Sequence, residues 1–453
     1  MIFRSALGED FRGDARFSTI HGNLGHYPSA DQDYISLGSS YHEPQSNLET
    51  SASAPIGTNK KVPSAIEIGV HGAGRKEFDM SSTPVDLTKT AMGGNLVAGG
   101  ATFRVWAPHA NAVYFCGDFN AWPKAAGVPL TKIGGDHWAA FVPGLKEGDQ
   151  YLFYVNGLGS QGYKRDPRAR ELTFTPVFPQ SNCALRDPSL FPWHNSGFRT
   201  PDFNDLVVYQ LHVGTFQLAS GNKNGYFLDV VSKLPYLASL GINAIEPLPV
   251  TEAANYPSLG YNGTDLYSPE QEYGEADNSG LAKYFSTVNS LLALRGQPAY
   301  PSSAVLSGSA NQLRVLVDLC HVYGIAVLFD VVYGHAGGGF DDASLWFMDR
   351  MPTGNLNDSL YFTDQAVSAG QAFAYWKNDV KQFLIDNASS FYQEYRVDGF
   401  RFDQVSDMDS HGGWPTCQNM TDTLHFLQPG GPLISRWSST SHRTPTVASS
   451  MRF

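Results

Sequence analysis

Four unbroken apolar runs in the second half of the chain limit its fold more than any other feature: LVVYQLHV (206–213), INAIEPLPV (242–250), IAVLFDVVY (325–333) and VDGFRFD (397–403). A strand with one wet face alternates polar and apolar residues, whereas runs without alternation belong to strands buried on both faces. Stretches with helical apolar spacing lie between them, at 227–240, 311–323 and 380–395. Strands that alternate with helices pair in parallel. Each unit delivers its polar residues at the strand's C-terminal end, which suits a (β/α)8 TIM barrel with its site built there. The expected domain spans 200–434 and holds strands one to about five, so the α/β barrel it implies is incomplete.

The region in front has another character. TFRVWAP (102–108), AVYFCGDF (112–119), HWAAFVP (137–143) and QYLFYVNG (150–157) are short aromatic and β-branched runs separated by turn residues. They predict an immunoglobulin-like β-sandwich over 96–186. Residues 1–95 are rich in Ser, Gly, Asn and Pro with little apolar periodicity, and are expected to form a disordered tail. The formal net charge of −12 leaves no basic stripe for phosphate backbones, which excludes a nucleic-acid partner. No apolar run approaches the roughly 18–20 residues a membrane span needs. The first thirty residues carry charges throughout and lack the apolar core of a secretory signal, so a cytoplasmic location is expected. Cys116, Cys183, Cys320 and Cys417 are too scattered for a disulfide framework or a zinc site, and neither metal nor cofactor is expected.

Three segments carry candidate chemistry. Asp330 and His335 leave a buried strand at its C-terminal end, where an unpaired carboxylate would be costly. Asp330 therefore faces the barrel mouth or a partner; taken alone, a structural salt bridge explains it equally well. Arg401 and Asp403 lie two apart on a strand and project to one face. A guanidinium beside a carboxylate favours its ionised form. An ionised Asp in a dry pocket can attack an anomeric carbon and form a covalent glycosyl intermediate. In GYNGTDLY (260–267), Tyr261 sits on a turn-rich loop from which it can stack on a sugar ring or pack as an ordinary buried Tyr.

The order HVGTF, GINAIEPLPV, GYNGTDLY, DVVYGH and GFRFD resembles glycoside hydrolase family 13, the α-amylase superfamily of retaining α-glucan enzymes. VWAPHANAVYFCGDFNAW (105–122) resembles the family 48 carbohydrate-binding module that precedes the barrel in branching enzymes and isoamylases. The combination is most like the 1,4-α-glucan branching enzymes, and it implies glycogen, starch or maltooligosaccharides as the α-1,4/α-1,6-glucan partner. Carried over, the resemblance makes Asp403 the catalytic nucleophile and Arg401 its neighbour in the substrate-binding set. His335 would hydrogen-bond the sugar, Tyr261 would stack beneath it, and Asp330 would be the structural carboxylate that orders the site. Gly334 stands where the family commonly has a calcium-binding Asn, which argues against calcium.

The resemblance also implies a general acid/base Glu at the end of the fifth strand. PLI (432–434) reads as the start of that strand, yet Ser435, Arg436 and Trp437 follow, and residues 435–453 hold six Ser, three Thr, three Arg and no acid. That composition fits neither strand nor helix and reads as an aberrant tail on a C-terminally truncated barrel. His442 is followed by Arg443, so the family's later His-Asp pair is missing too. Retaining cleavage needs two carboxylates, and losing the proton donor costs about 10²–10⁴ in rate. The chain as written is therefore expected to be inactive, although its family is one of enzymes. Three readings compete: a branching-type glucan enzyme; an isoamylase-like or maltooligosyl trehalose hydrolase; and a non-catalytic glucan-binding protein. In the last, Trp106, Trp122 and Trp138 of the module are the possible stacking residues, with core packing as the alternative.

Overall fold

A computed structural model describes residues 85–174, 181–218, 224–254, 258–337, 339–367 and 370–427, and the backbone of the strands Ile2–Arg4 and Ile434–Trp437. Most of the expected N-terminal tail and of the last 19 residues lies outside these. The front region is a sandwich of two antiparallel sheets. One runs Gly93–Val97, Gly100–Trp106, His137–Pro143, Thr131–Ile133; the other is built on Gln150–Gly157 and Ala110–Gly117. Strand alternation decides which side chains meet between them. Phe103 and Val105 point inward, and Phe103 packs on Phe115 with ring centroids 4.0 Å apart, while Phe115 stacks on Tyr151 at 5.5 Å. Gly93–Val97 reaches back across the boundary drawn at residue 95, a small correction. Its sequence, GGNLV, carries no apolar alternation, and Gly93 adopts φ +78 where a Cβ would meet Arg168 Cβ at 3.0 Å.

The second region holds five parallel strands in sequential order: β1 (Val207–Leu211), β2 (Ala244–Pro247), β3 (Ala326–Val331), β4 (Gly399–Phe402) and β5 (Ile434–Trp437). Ile2–Arg4 joins β1 antiparallel, so this piece of the expected tail is paired. The four apolar runs thus form strands. β5 begins at Ile434 and continues to Trp437, which corrects the expectation that 435–437 belong to a tail that fits no strand, because backbone pairing with β4 does not depend on apolar composition. Helices Ser309–Val322 and Asn378–Tyr395 cover one face, burying Leu313, Leu316, Val380, Phe383 and Leu384 against Val327 and Phe329. The single helix expected over 227–240 is two, Phe227–Ser232 and Leu234–Ser239, because Pro235 cannot donate a backbone hydrogen bond at the joint. The opposite face of the sheet holds a small separate cluster of Leu206, Ala244, Ala326 and Leu328. Beyond the strand ends two antiparallel excursions rise: Thr251–Ala253 with Gly263–Pro269, and His335–Ala336 with Gly370–Phe373 and Phe362–Val367. Among the described residues no helix is long and apolar enough to cross a membrane, and no three His, Cys, Asp or Glu cluster as metal ligands. The four cysteines are free and buried.

Candidate active site

The register of β3 and β4 sets Asp330 directly beside Arg401. From there one guanidinium nitrogen does most of the organising. Arg401 Nη1 lies 2.7 Å from both oxygens of Asp330, 2.9 Å from Asp403 Oδ1 and 3.2 Å from the Tyr261 hydroxyl. The Tyr261 hydroxyl donates to Asp330 Oδ2 at 2.7 Å, and the guanidinium carbon sits 5.7 Å from the centre of the Tyr261 ring. His335 approaches from the far side of the same loop, with Nε2 2.9 Å from the Tyr261 carbonyl oxygen. A carbonyl only accepts, so Nε2 carries the proton and Nδ1 keeps its lone pair. That Nδ1 is buried and has no partner among the described residues. Tyr261, Asp330, His335, Arg401 and Asp403, picked out separately from the sequence, therefore converge on one spot at the strand ends.

Burial sets the electrostatics. It lifts the Asp330 carboxyl to about 6, despite the opposing pull of Arg401 and Tyr261, with Asp403 adding to the rise. Burial and the Asp330 charge together raise the Tyr261 hydroxyl. Burial lowers His335, keeping its imidazole neutral at pH 7. For Arg401 burial works against the charge, but Asp330, Tyr261 and Asp403 outweigh it and the net shift is upward. Chain geometry adds a constraint: Gln404, immediately after Asp403, adopts φ +43, a left-handed conformation that a side chain seldom accepts. It turns the chain from β4 into the helix Val405–Ser410.

The three module tryptophans part company. Trp138 lies in register opposite Val105, so it faces the sandwich core, with Nε1 donating to the Ala107 carbonyl at 2.9 Å. Only 8% exposed, it offers no face to a sugar, which corrects the sequence expectation for that residue. Trp122 is half-buried, edge-on to Tyr163, and donates to Asp118 at 3.1 Å. Trp106 sits on the outer face of its strand, edge-on to Tyr361 of the α/β region. Together with Arg104, His137, Asp379 and Phe383 it lines a cavity of about 200 Å³ at the seam between the two regions.

Sequence reasoning missed what holds the site's loop in place. Arg165, from the end of the module, is buried between Asp265 of the Tyr261 loop (2.9 Å) and Asp341 (2.6 Å). Arg168 reaches Asp386 and the Tyr267 hydroxyl, and Arg170 grips Glu394. The signal was present as the basic run KRDPRAR (164–170), but linear sequence does not name the partners. Glu252 and Glu270 brace the base of the same excursion. Burial raises both carboxyls, Glu270 to about 7, while Glu252 accepts from Gln271 and Glu270 from Ala253 and Glu272.

Residues 91–169 match carbohydrate-binding module 48, the isoamylase N-terminal domain. The 1,4-alpha-glucan branching enzyme of Bacillus cereus is 27% identical over 317 residues, covering 68% of this chain and 43% of that protein. That of Corynebacterium glutamicum is 27% identical over 411 residues, 83% of this chain and 49% of its own length. The chain is similar to family 13 glycoside hydrolases with a family 48 module in front, and among them to the branching enzymes. The chain spans less than half the length of those curated relatives. Its fold is shared with the pullulanase from Bacillus acidopullulyticus (TM-score 0.57, 22% identity, 78% of this chain and 43% of that one). It is also shared with the GBS pullulanase SAP solved with maltotetraose (TM-score 0.54, 19% identity, 78% and 47%).

Proposed function

We propose that the chain acts on α-glucans in the manner of the 1,4-α-glucan branching enzymes, on a sheet that forms the first strands of a (β/α)8 barrel. The observation that carries this is the single Arg401 nitrogen joining Asp330, Asp403 and Tyr261. Arg401 holds Asp403, the group that would attack the anomeric carbon, through a 2.9 Å contact to its Oδ1. Asp330 anchors the guanidinium and the Tyr261 hydroxyl, so that the Tyr261 ring is held as a platform for the sugar. The Nδ1 of His335 would accept a sugar hydroxyl.

Retaining chemistry also needs a proton for the departing oxygen, supplied by a second carboxylate about 5–5.5 Å from the first. The strand beside the nucleophile strand is β5, which pairs Ser435, Arg436 and Trp437 with Phe400, Arg401 and Phe402. Residues 435–453 contain no Asp or Glu. The lack of a carboxylate at these β5 positions favours a second reading: the chain holds an α-glucan at this site without cleaving it. Co-sedimentation with glycogen or amylose tests the shared claim, and lack of retention would sink both readings. Chain-length profiling of amylose after prolonged incubation separates them. New α-1,6 branches or shortened chains would support the first reading, and an unchanged profile the second.

A further inference from the structure

We infer that Trp376 is a stacking platform for a glucose ring, placed beside the Asp330–Arg401–Asp403 cluster and outside it; the inference rests on the α-glucan reading above. Trp376 is 64% exposed, the one exposed tryptophan among the described residues. Isolated apolar residues at a surface need no explanation, but a wide indole held in water in a pinned segment is a different matter.

The pinning is specific. Phe373, Ala374 and Tyr375 are buried just before it. The Tyr375 hydroxyl donates to the carbonyls of Tyr333 (2.5 Å) and Gly334 (3.2 Å). On the other side, Lys377 donates its Nζ to the carbonyls of Ser359 and Leu360, at 3.1 and 2.7 Å. Its backbone N–H closes a turn onto Ala374 at 3.0 Å. Both neighbours of Trp376 are therefore held by the core and by backbone carbonyls, and its ring is presented to solvent.

Position is equally constrained. Tyr333 and Gly334 directly precede His335. The Tyr375 ring also lies 2.9 Å from where a Cβ would stand on Gly413, just past the helix that follows Asp403. The helix Asn378–Tyr395 leads from the β3 excursion back to β4, so its first residues lie at the strand ends that carry the site. A flat indole there matches the C–H face of a glucopyranose, a neutral ligand that needs a surface more than a charge.

N-bromosuccinimide oxidation of the full chain, mapped by peptide mass spectrometry, reads this residue directly. Trp376 should be the first described tryptophan oxidised, and maltoheptaose should slow that oxidation. In amylopectin affinity gels Trp376→Ala should weaken retention roughly three- to tenfold, and Trp376→Phe less, because phenyl keeps part of the stacking face. An unchanged melting curve for Trp376→Ala would confirm that the fold is intact. If the unaltered chain is retained and Trp376→Ala is retained equally, the platform is refuted while the α-glucan reading stands. If the unaltered chain is not retained at all, the α-glucan reading fails and the platform fails with it.

Discussion

Arg401 is the residue on which the candidate site turns. Its side chain is 18% exposed and compensates two carboxylates at once, Asp330 and Asp403. Arg401→Met should cost about 3 kcal/mol of stability, because removing one partner of a buried pair leaves the others charged and desolvated. Urea denaturation measures this, and a loss below experimental scatter would contradict the arrangement. Asp330 supplies a pH signature. Its folded carboxyl titrates near 6 against an ordinary 3.8, so the fold holds that proton more tightly than the unfolded chain does. The group's contribution to stability is therefore greatest at low pH and is lost as pH rises through about 6. Above that pH the ion pair with Arg401 is complete, so glucan retention should strengthen as stability from this group declines. Asp330→Asn should flatten the melting-temperature slope between about pH 4 and pH 6; a slope that persists would assign it to another group.

At the level of elements, the excursion after β2 decides whether Tyr261 reaches the strand ends. Gly260 permits the turn: it adopts φ +87, and a Cβ there would lie 2.2 Å from the Pro249 carbonyl oxygen. Gly260→Ala combines a left-handed strain with a backbone clash, so a loss of about 1–3 kcal/mol is expected. Weaker glucan retention should accompany it, as Tyr261 is pushed off Asp330. Thermal denaturation and affinity gels check the two parts, and a variant matching the parent in both would show that the turn has slack. The tight turn was legible in GYNGTDLY as a sequence, since Gly and Asn mark such turns. Its target was not, because Asp330 lies 69 residues further along.

For the whole molecule, the module is tied to the α/β region by ion pairs rather than by a linker alone. Arg165 is 1% exposed and satisfies both Asp265 and Asp341. Arg165→Met should therefore cost about 3–5 kcal/mol. It should also weaken glucan retention at the distant site, because Asp265 belongs to the strand that follows Tyr261. Parallel measurements of stability and retention test this, and a stability loss with unchanged retention would uncouple the module from the site. The seam cavity bounded by Trp106 and Tyr361 exists for the same reason, since neither region alone has both walls.

Local pattern determined much of this protein. Apolar runs without alternation specified β1 to β4, helical spacing specified the helices Ser309–Val322 and Asn378–Tyr395, and short aromatic runs specified the sandwich. Period-two and period-3.6 patterns suffice for these because they depend on near neighbours. The motif order also singled out Tyr261, Asp330, His335, Arg401 and Asp403 one by one. Only the tertiary structure decided that Tyr261, Asp330 and Asp403 share the Arg401 guanidinium, that burial lifts the Asp330 carboxyl to about 6, that Trp106 faces a seam while Trp138 faces a core, and that Arg165 holds the site's loop. Each of these depends on burial and on contacts between residues distant in the chain, which linear spacing does not encode.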